Sequence, residues 1–319
     1  MEIFITTSSF GAQSDAPWEA IEAAGHTVRR PVAAHPLTAQ QLRDEIGTSE
    51  ALITGLDTVD ASVFAAAPNL RVVGKHGVGV DNIDLAAAEA AGVRVVNAPG
   101  SNSGAVADLT FGLMLAVARQ ILPAHSSMLD GRWDRFPGIE LSGRTLGLVG
   151  FGRIGQAVAK RATGFDMTVI AYDPYLPAHL FGEAGAEQVS LDEVVSRSDF
   201  LSLHMPGSPD SAPILDTALL GTMKPGAFLI NAARGGLVDE TQLALMLTDG
   251  RLGGAALDAF NREPLPDNSP LLGVPNLILT PHIGAFSDLA NANMGVMVVD
   301  DVARVLRGDE PLNPVSAGK

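Results

Sequence analysis

Gly150-Phe151-Gly152-Arg153-Ile154-Gly155, Asp173, Arg234, Glu263 and His282 stand in that order along the chain. A lone G-x-G-x-x-G is weak in a chain with 34 glycines, so its context matters. The apolar run Leu146-Gly147-Leu148-Val149 precedes it and the helix-forming stretch Gln156–Thr163 follows, the strand–turn–helix setting of a dinucleotide grip. There Gly150 permits the tight turn, Gly152 lets the backbone approach a pyrophosphate, and Gly155 lets helix and strand pack closely. Amides of Arg153 and Ile154 at the helix start can face the phosphates. The next strand ends at Asp173, whose carboxylate can accept from the adenosine ribose and repel a 2′-phosphate, which selects NAD over NADP. The plainer alternative is an Asp before Pro174 that opens a turn.

The remaining three residues suit an acid–base reaction on an anion. Arg234 follows the strand-like Leu229-Ile230-Asn231, where ligands bind in parallel sheets, and its planar fork pairs bidentately with a carboxylate. His282, in Thr280-Pro281-His282-Ile283-Gly284, supplies an imidazole, a group that titrates at about 6.5 when unperturbed and can give or take an alcohol proton. Glu263 could hold the other ring nitrogen and fix the tautomer. Taken singly, each has a plain reading: an Arg tying down a turn, a solvated Glu beside Arg262, a turn His beside Pro281. The ordered set points to NAD-dependent oxidation or reduction of a hydroxy acid.

Alternating strands and helices must carry these residues. Glu2–Thr6, Ala51–Thr54, Leu70–Gly74 and Val93–Asn97 read as strands, with helices at Trp18–Ala24, Thr38–Ile46 and Asp84–Ala91. An Ala/Leu-rich helix is expected from Ser103 to Ile121, then Pro123 and a loop over Gly131–Gly138. The alternation restarts at Thr145–Val149, with strands at Met167–Tyr172, Phe200–His204, Ala227–Asn231, Gly254–Leu257 and Leu277–Thr280. Asp288–Arg307 reads as a final helix. Such alternation implies parallel sheets covered by helices.

Bulk properties narrow the class. The 319 residues suffice for two domains, and 46% apolar with 18% charged residues suits a globular enzyme. A net charge of −15 argues against nucleic acid as partner and means that an anionic substrate needs local cations. With no cysteine, thiolate nucleophiles, disulfides and Cys-ligated zinc are excluded, and the seven histidines show no His-Glu-x-x-His spacing, so no metal is expected. The amino terminus does not read as a signal peptide, and Leu109–Ala118 is too short to span a bilayer, so a cytoplasmic protein without membrane contact is expected.

From about Val72 to Gly284 the chain resembles the D-isomer-specific 2-hydroxyacid dehydrogenases, especially the D-3-phosphoglycerate dehydrogenase branch. The matching runs are Gly77-Val78-Gly79-Val80-Asp81-Asn82-Ile83-Asp84, Leu148 to Gly155, Asn231-Ala232-Ala233-Arg234-Gly235-Gly236-Leu237-Val238-Asp239 and Pro281-His282-Ile283-Gly284. The resemblance implies an α/β protein of two doubly wound parallel-sheet domains with a cleft between them. One would be a flavodoxin-like substrate domain, 1–99 plus 287–319, and the other a Rossmann NAD domain, 100–286. It makes Arg234, Glu263 and His282 the catalytic trio. His204, Met205, Pro206, Ser208, Ala232, Asp258 and Gly284 would line the cofactor beside the glycine motif, with Arg234 and His282 touching both cofactor and substrate. Gly77, Val78 and Gly79 would hold the substrate carboxylate through backbone amides. A homodimer is implied, with the Ser103–Ile121 helix at the contact.

Departures from the family pattern bear on substrate. Met205 and Gly207-Ser208 stand where Cys and Leu-Thr are common, and Phe286-Ser287 after the histidine motif is unusual. Lys75 falls where phosphoglycerate-specific relatives carry a cation, which suggests a second anionic group on the substrate: phosphate, phosphonate or carboxylate. An exposed strand-end lysine is the equal alternative. Ser8, Ser9, Phe10, Gly55 and Leu56 are further pocket candidates. No regulatory domain is expected after residue 319. A phosphite-type dehydrogenase shares the trio and is the alternative activity. A nucleotide-sensing corepressor-like protein is the alternative class, and Glu263 argues against formate dehydrogenases.

Overall fold

Short runs of β-branched and aliphatic residues form the strands, and side-chain caps start many of the helices between them. The computed structural model describes residues 1–207 and 212–317, in two units: Met1–Ala105 with Ala285–Lys319, and Val106–Gly284. The first unit begins β1 (Glu2–Ile5), α1 (Ala16–Ala23), β2 (Thr27–Arg29), α2 (Ala39–Ile46), β3 (Ala51–Thr54), α3 (Ala61–Ala66), β4 (Val72–Lys75), α4 (Leu85–Ala90) and β5 (Arg94–Val96). Thr38 and Gln41 form a reciprocal capping box on α2, and Asp60 and Asp84 accept amides at the starts of α3 and α4. Each such cap contributes about 1 kcal/mol.

The second unit opens inside α5 (Ser103–Ala118). It continues through α6 (Ile121–Leu129), β6 (Thr145–Val149), α7 (Arg153–Ala162), β7 (Thr168–Tyr172), α8 (His179–Glu183) and β8 (Ala186–Gln188). Then come α9 (Leu191–Arg197), β9 (Phe200–Leu203), α10 (Thr217–Leu220), β10 (Phe228–Asn231), α11 (Glu240–Thr248), β11 (Gly254–Leu257) and β12 (Leu277–Leu279). Its seven strands run parallel in the order β12-β11-β10-β9-β6-β7-β8. Strand order reverses between β6 and β9, where ligands bind in doubly wound sheets. Buried apolar side chains form a core on each face of the sheet, one including Leu146, Leu148 and Ile230, the other Val149, Leu201 and Leu229.

The chain ends with α12 (Asp288–Arg307) and β13 (Pro314–Val315) in the first unit. There the order is β13-β5-β4-β3-β1-β2, parallel except for β13, which pairs antiparallel at the edge. Met294, Val298, Val299 and Val302 of α12 pack into a core with Ile3, Ile53 and Val72. A Cβ on Gly74 would lie 2.5 Å from Val298, so glycine at that point of β4 lets the helix sit close.

The α/β class and two parallel sheets agree with the sequence reading, and one stretch departs from it. Instead of one helix to Ile121 and then a loop, α5 stops at Ala118, Gln120 takes a left-handed φ of 53°, and α6 sets off at 64° to α5. Pro123 sits in the first turn of α6, where its missing N–H costs no helical hydrogen bond. Among the described residues no single helix is long and apolar enough to cross a membrane.

Candidate active site

The glycine motif leads from β6 into α7. Gly150 has φ +93°, and a Cβ on it would lie 2.6 Å from the His204 carbonyl, so the turn requires glycine twice over. On Gly155 a Cβ would lie 2.4 Å from the Gly150 carbonyl oxygen, while one on Gly152 would meet nothing within 4 Å. Gly152 is the N-cap of α7 and offers no side-chain cap. The amides at the start of α7, Arg153 and Ile154 included, thus form an uncapped helix terminus suited to a phosphate. Asp173 accepts from Phe151 N–H at 2.9 Å and Tyr175 N–H at 3.0 Å. It is therefore both the turn-opening Asp and a carboxylate tied to the motif, and oxygens with one protein donor each retain capacity for a ribose hydroxyl.

His204, buried at the end of β9, accepts or donates at Nε2 with Ser202 Oγ, 2.8 Å away. Burial pushes its pKa down to about 3, so the ring is neutral. Met205 is half-buried, Pro206 is exposed, and Ser208 lies outside the described residues.

A second cluster lies where β10, β11 and β12 end. The buried Asn231 shapes the Arg234 turn, donating Nδ2–H to the Arg234 carbonyl at 2.7 Å and accepting from Ala233 N–H at 3.1 Å. Ala232 is half-buried on the same turn, and Arg234 Nη1 donates to Ala233 O at 2.7 Å. After β11, Asp258 is 1% exposed and accepts from Thr280 Oγ1 at 2.6 Å, Ile283 N–H at 2.8 Å and Gly284 N–H at 2.7 Å. These bonds grip both sides of His282, which has a left-handed φ of 52°, an uncommon backbone state for a non-glycine residue. His282 Nδ1 lies 2.8 Å from Glu263 Oε2, and the other Glu263 oxygen accepts from Phe260 N–H at 3.0 Å. Burial pushes the Glu263 carboxyl up, but the His282 hydrogen bond and charge, the Phe260 amide and Arg234 outweigh it and hold it below its ordinary value.

Two site features escaped sequence reading. A Cβ on Gly235 would fall 1.8 Å from the Phe260 carbonyl carbon and 2.2 Å from Asn261 N, so the Arg234 turn is pressed onto the loop that carries Glu263. The Asn231-to-Asp239 run contains this glycine, but its sequence does not reveal which backbone it touches. Glu240 accepts from Asn261 N–H at 2.7 Å, and its carboxyl is raised, chiefly by burial and also by the charge of Glu263.

The first unit holds the other expected residues. Lys75 is 6% exposed, which overturns the exposed strand-end alternative. Its ammonium donates to Gly55 O and, at 2.7 Å, to Asn82 Oδ1. Gly77, Val78 and Gly79 follow β4 as a half-buried loop, tied down where Ala98 N–H meets Gly77 O at 2.9 Å and Asn97 Nδ2 meets Val78 O at 2.6 Å. Among the described residues, no cluster of three or more His, Asp or Glu is placed to hold a metal.

Comparison with known proteins shows the family. Residues 111–284 match the D-isomer specific 2-hydroxyacid dehydrogenase, NAD binding domain. The chain belongs to the D-isomer specific 2-hydroxyacid dehydrogenase family. It is 45% identical over 284 residues to a D-3-phosphoglycerate dehydrogenase from Methanocaldococcus jannaschii, covering 88% of this chain and 54% of that protein. It thus spans about half the length of the first curated relatives it matches. A glyoxylate reductase from Korarchaeum cryptofilum is 38% identical over 88% of this chain and 87% of its own. Among solved structures, the TT0316 protein from Thermus thermophilus superposes with a TM-score of 0.87 at 37% identity, covering 99% of this chain and 100% of that one.

Proposed function

We propose that this chain transfers a hydride between NAD and C2 of a D-2-hydroxy acid or its 2-oxo form. The observation that carries the reading is the 2.8 Å His282–Glu263 pair, with the Glu263 loop packed against the Arg234 turn. NAD would be held by the Gly150–Gly155 turn and the start of α7, by Asp173, and by the loops at His204, Ala232, Asp258 and Gly284. The open space at Gly152 and the uncapped helix start fit a pyrophosphate. Bound there, the cofactor would supply or accept the hydride.

The chain's own groups manage the proton and the carboxylate. Glu263 engages His282 Nδ1, which leaves Nε2 to hold the proton that joins or leaves the C2 oxygen. The Glu263 carboxylate keeps the ring oriented and offsets the charge of its protonated form. Arg234 clamps the substrate carboxylate and polarises the C2 oxygen. In the first unit, the amides of the Gly77–Gly79 loop offer a backbone nest of the kind that takes a carboxylate. Likeness to D-3-phosphoglycerate dehydrogenases supports a substrate with a second anionic group. We further propose a homodimer in the cytoplasm. Exposed Leu129 (75%) and Trp133 (74%) on and after α6 support self-association.

The test is an NADH-consumption screen over 2-oxo acids, phosphorylated and phosphonylated ones included, beside NADH affinity. The wild-type protein should turn over at least one, and His282→Ala should lose about 10²–10⁴-fold of that rate with NADH affinity kept. Unchanged turnover in His282→Ala would refute the acid–base role.

A further inference from the structure

Two carboxylates of the second unit draw on consecutive amides of one loop. Phe260 N–H donates to Glu263 at 3.0 Å, and Asn261 N–H donates to Glu240 Oε1 at 2.7 Å. Glu263 in turn engages His282 Nδ1 at 2.8 Å. The proton transfer proposed above uses Glu263 and leaves Glu240 without a role. Glu240 opens α11, soon after the Arg234 turn, and between them Gly235 is pressed onto the Phe260 carbonyl carbon and Asn261 N. The segment from Arg234 to Glu240 therefore meets the Phe260–Glu263 loop twice, once by close packing and once by a hydrogen bond.

An acidic residue in the first turn of a helix is ordinary, because it suits the positive end of the dipole. Here Asp239 already serves as the cap of α11, accepting from Gln242 N–H at 3.0 Å and, at its other oxygen, from Thr217 Oγ1 at 3.0 Å. Glu240 instead gives a carboxylate oxygen to the loop that carries Glu263. Burial raises its carboxyl, the Asn261 amide opposes the rise, and the charge of Glu263 adds to it. Repulsion between two carboxylates is mutual. A negative Glu240 thus disfavours a bare Glu263 and favours a proton on the pair that Glu263 forms with His282. Two other charged groups face that pair. Arg234 acts on Glu263 against protonation, and Asp258 accepts from Ile283 and Gly284 N–H beside His282.

We propose that Glu240 is a positioning residue for the reaction: through Asn261 N–H it sets the Glu263 loop, and its charge tightens the hold of the His282–Glu263 pair on the exchanged proton. The inference rests on the hydride-transfer reading and names what tunes its acid–base pair.

The experiment follows the His282 ring by NMR in the full chain, with labelled histidine, from pH 5 to 9. His282→Asn identifies the signal, and kcat is measured alongside on a 2-oxo acid that the wild type reduces. Glu240→Gln keeps an oxygen that can accept from Asn261 N–H and loses the charge. Its His282 titration midpoint should fall by about half a unit, and the reduction limb of the pH profile should move with it. Glu240→Ala loses the acceptor as well. Its plateau kcat should drop about tenfold, with Glu240→Gln recovering most of that loss and NADH affinity within a few-fold of wild type in both. An unmoved midpoint in Glu240→Gln would overturn the proposal and leave Glu240 an ordinary first-turn acid. A wild-type plateau in Glu240→Ala would overturn the positioning role, and the Glu240→Gln titration decides alone if the Ala variant does not fold. A wild-type protein that reduces no 2-oxo acid would sink the hydride-transfer reading, while the NMR titration still accepts or rejects the coupling of Glu240 to His282.

Discussion

At the residue scale, the His282–Glu263 pair governs how the proposed chemistry depends on pH. Reduction needs an imidazolium at His282, and oxidation needs the neutral ring, so the two directions fall on opposite limbs of the pH profile. Glu263 is held below its ordinary value, with His282 as the chief partner opposing burial, so near neutrality it presents a negative charge to the ring. Replacing it by Gln removes that charge and disfavours the imidazolium. In Glu263→Gln both limbs should therefore move to lower pH, by about one unit or more, measured as kcat/KM for each direction across pH 5 to 9. Limbs that stay fixed would place the titrating group elsewhere. The type and order of these residues were legible in the sequence because each follows a strand, where chain order and spatial order agree. Burial was not legible. Lys75 looked like a strand-end cation, and only the carbonyl of Gly55 and the amide of Asn82, supplied by other loops, show how its ammonium is satisfied.

At the scale of elements, glycines decide which loops can touch. The strand–turn–helix around Gly150 could be read from sequence because the contact between Gly150 and Gly155 is local. The contact of Gly235 with Phe260 and Asn261 joins elements that follow β10 and β11, parallel neighbours with α11 between them in sequence. Gly235→Ala would drive a Cβ into that backbone, so the Arg234 turn and the Glu263 loop must part. The expected outcome is a fall in kcat/KM of about 10²-fold, the scale of an ångström of misplacement, with NADH affinity within a few-fold of wild type, since the pyrophosphate contacts come from β6 and α7. Wild-type kcat/KM in Gly235→Ala would show that this packing does not set the geometry of the trio. The break at Gln120 is of the same kind. The Ala/Leu-rich composition favours helix throughout, and only the left-handed turn at one residue separates α5 from α6.

On the scale of the whole molecule, the stretch after α5 is an excursion whose ends meet. Ile139 N–H returns to Ala118 O at 2.9 Å, and a Cβ on Gly138 would lie 2.8 Å from that same oxygen. Between these points, Leu122 (47%), Met128 (52%), Leu129 (75%) and Trp133 (74%) are exposed, and Asp134 is tied back to Ser127 Oγ at 3.0 Å. An anchored loop that displays this much apolar surface fits a partner, and a second copy of the chain is the one proposed above. A net charge of −15 opposes that association at long range. Salt near 0.15 M reduces the reach of the repulsion to about 8 Å, so the dimer should tighten as salt rises from low values. In a twofold interface each side chain is buried once per protomer, so losing one costs its burial free energy twice, at about 1.5–3 kcal/mol each time. Leu129→Asp and Trp133→Asp should each weaken the dimer by about a hundredfold or more. Light scattering on wild type and variants over a concentration series is the measurement. A wild-type protein that stays monomeric at tens of micromolar in moderate salt would rule the dimer out.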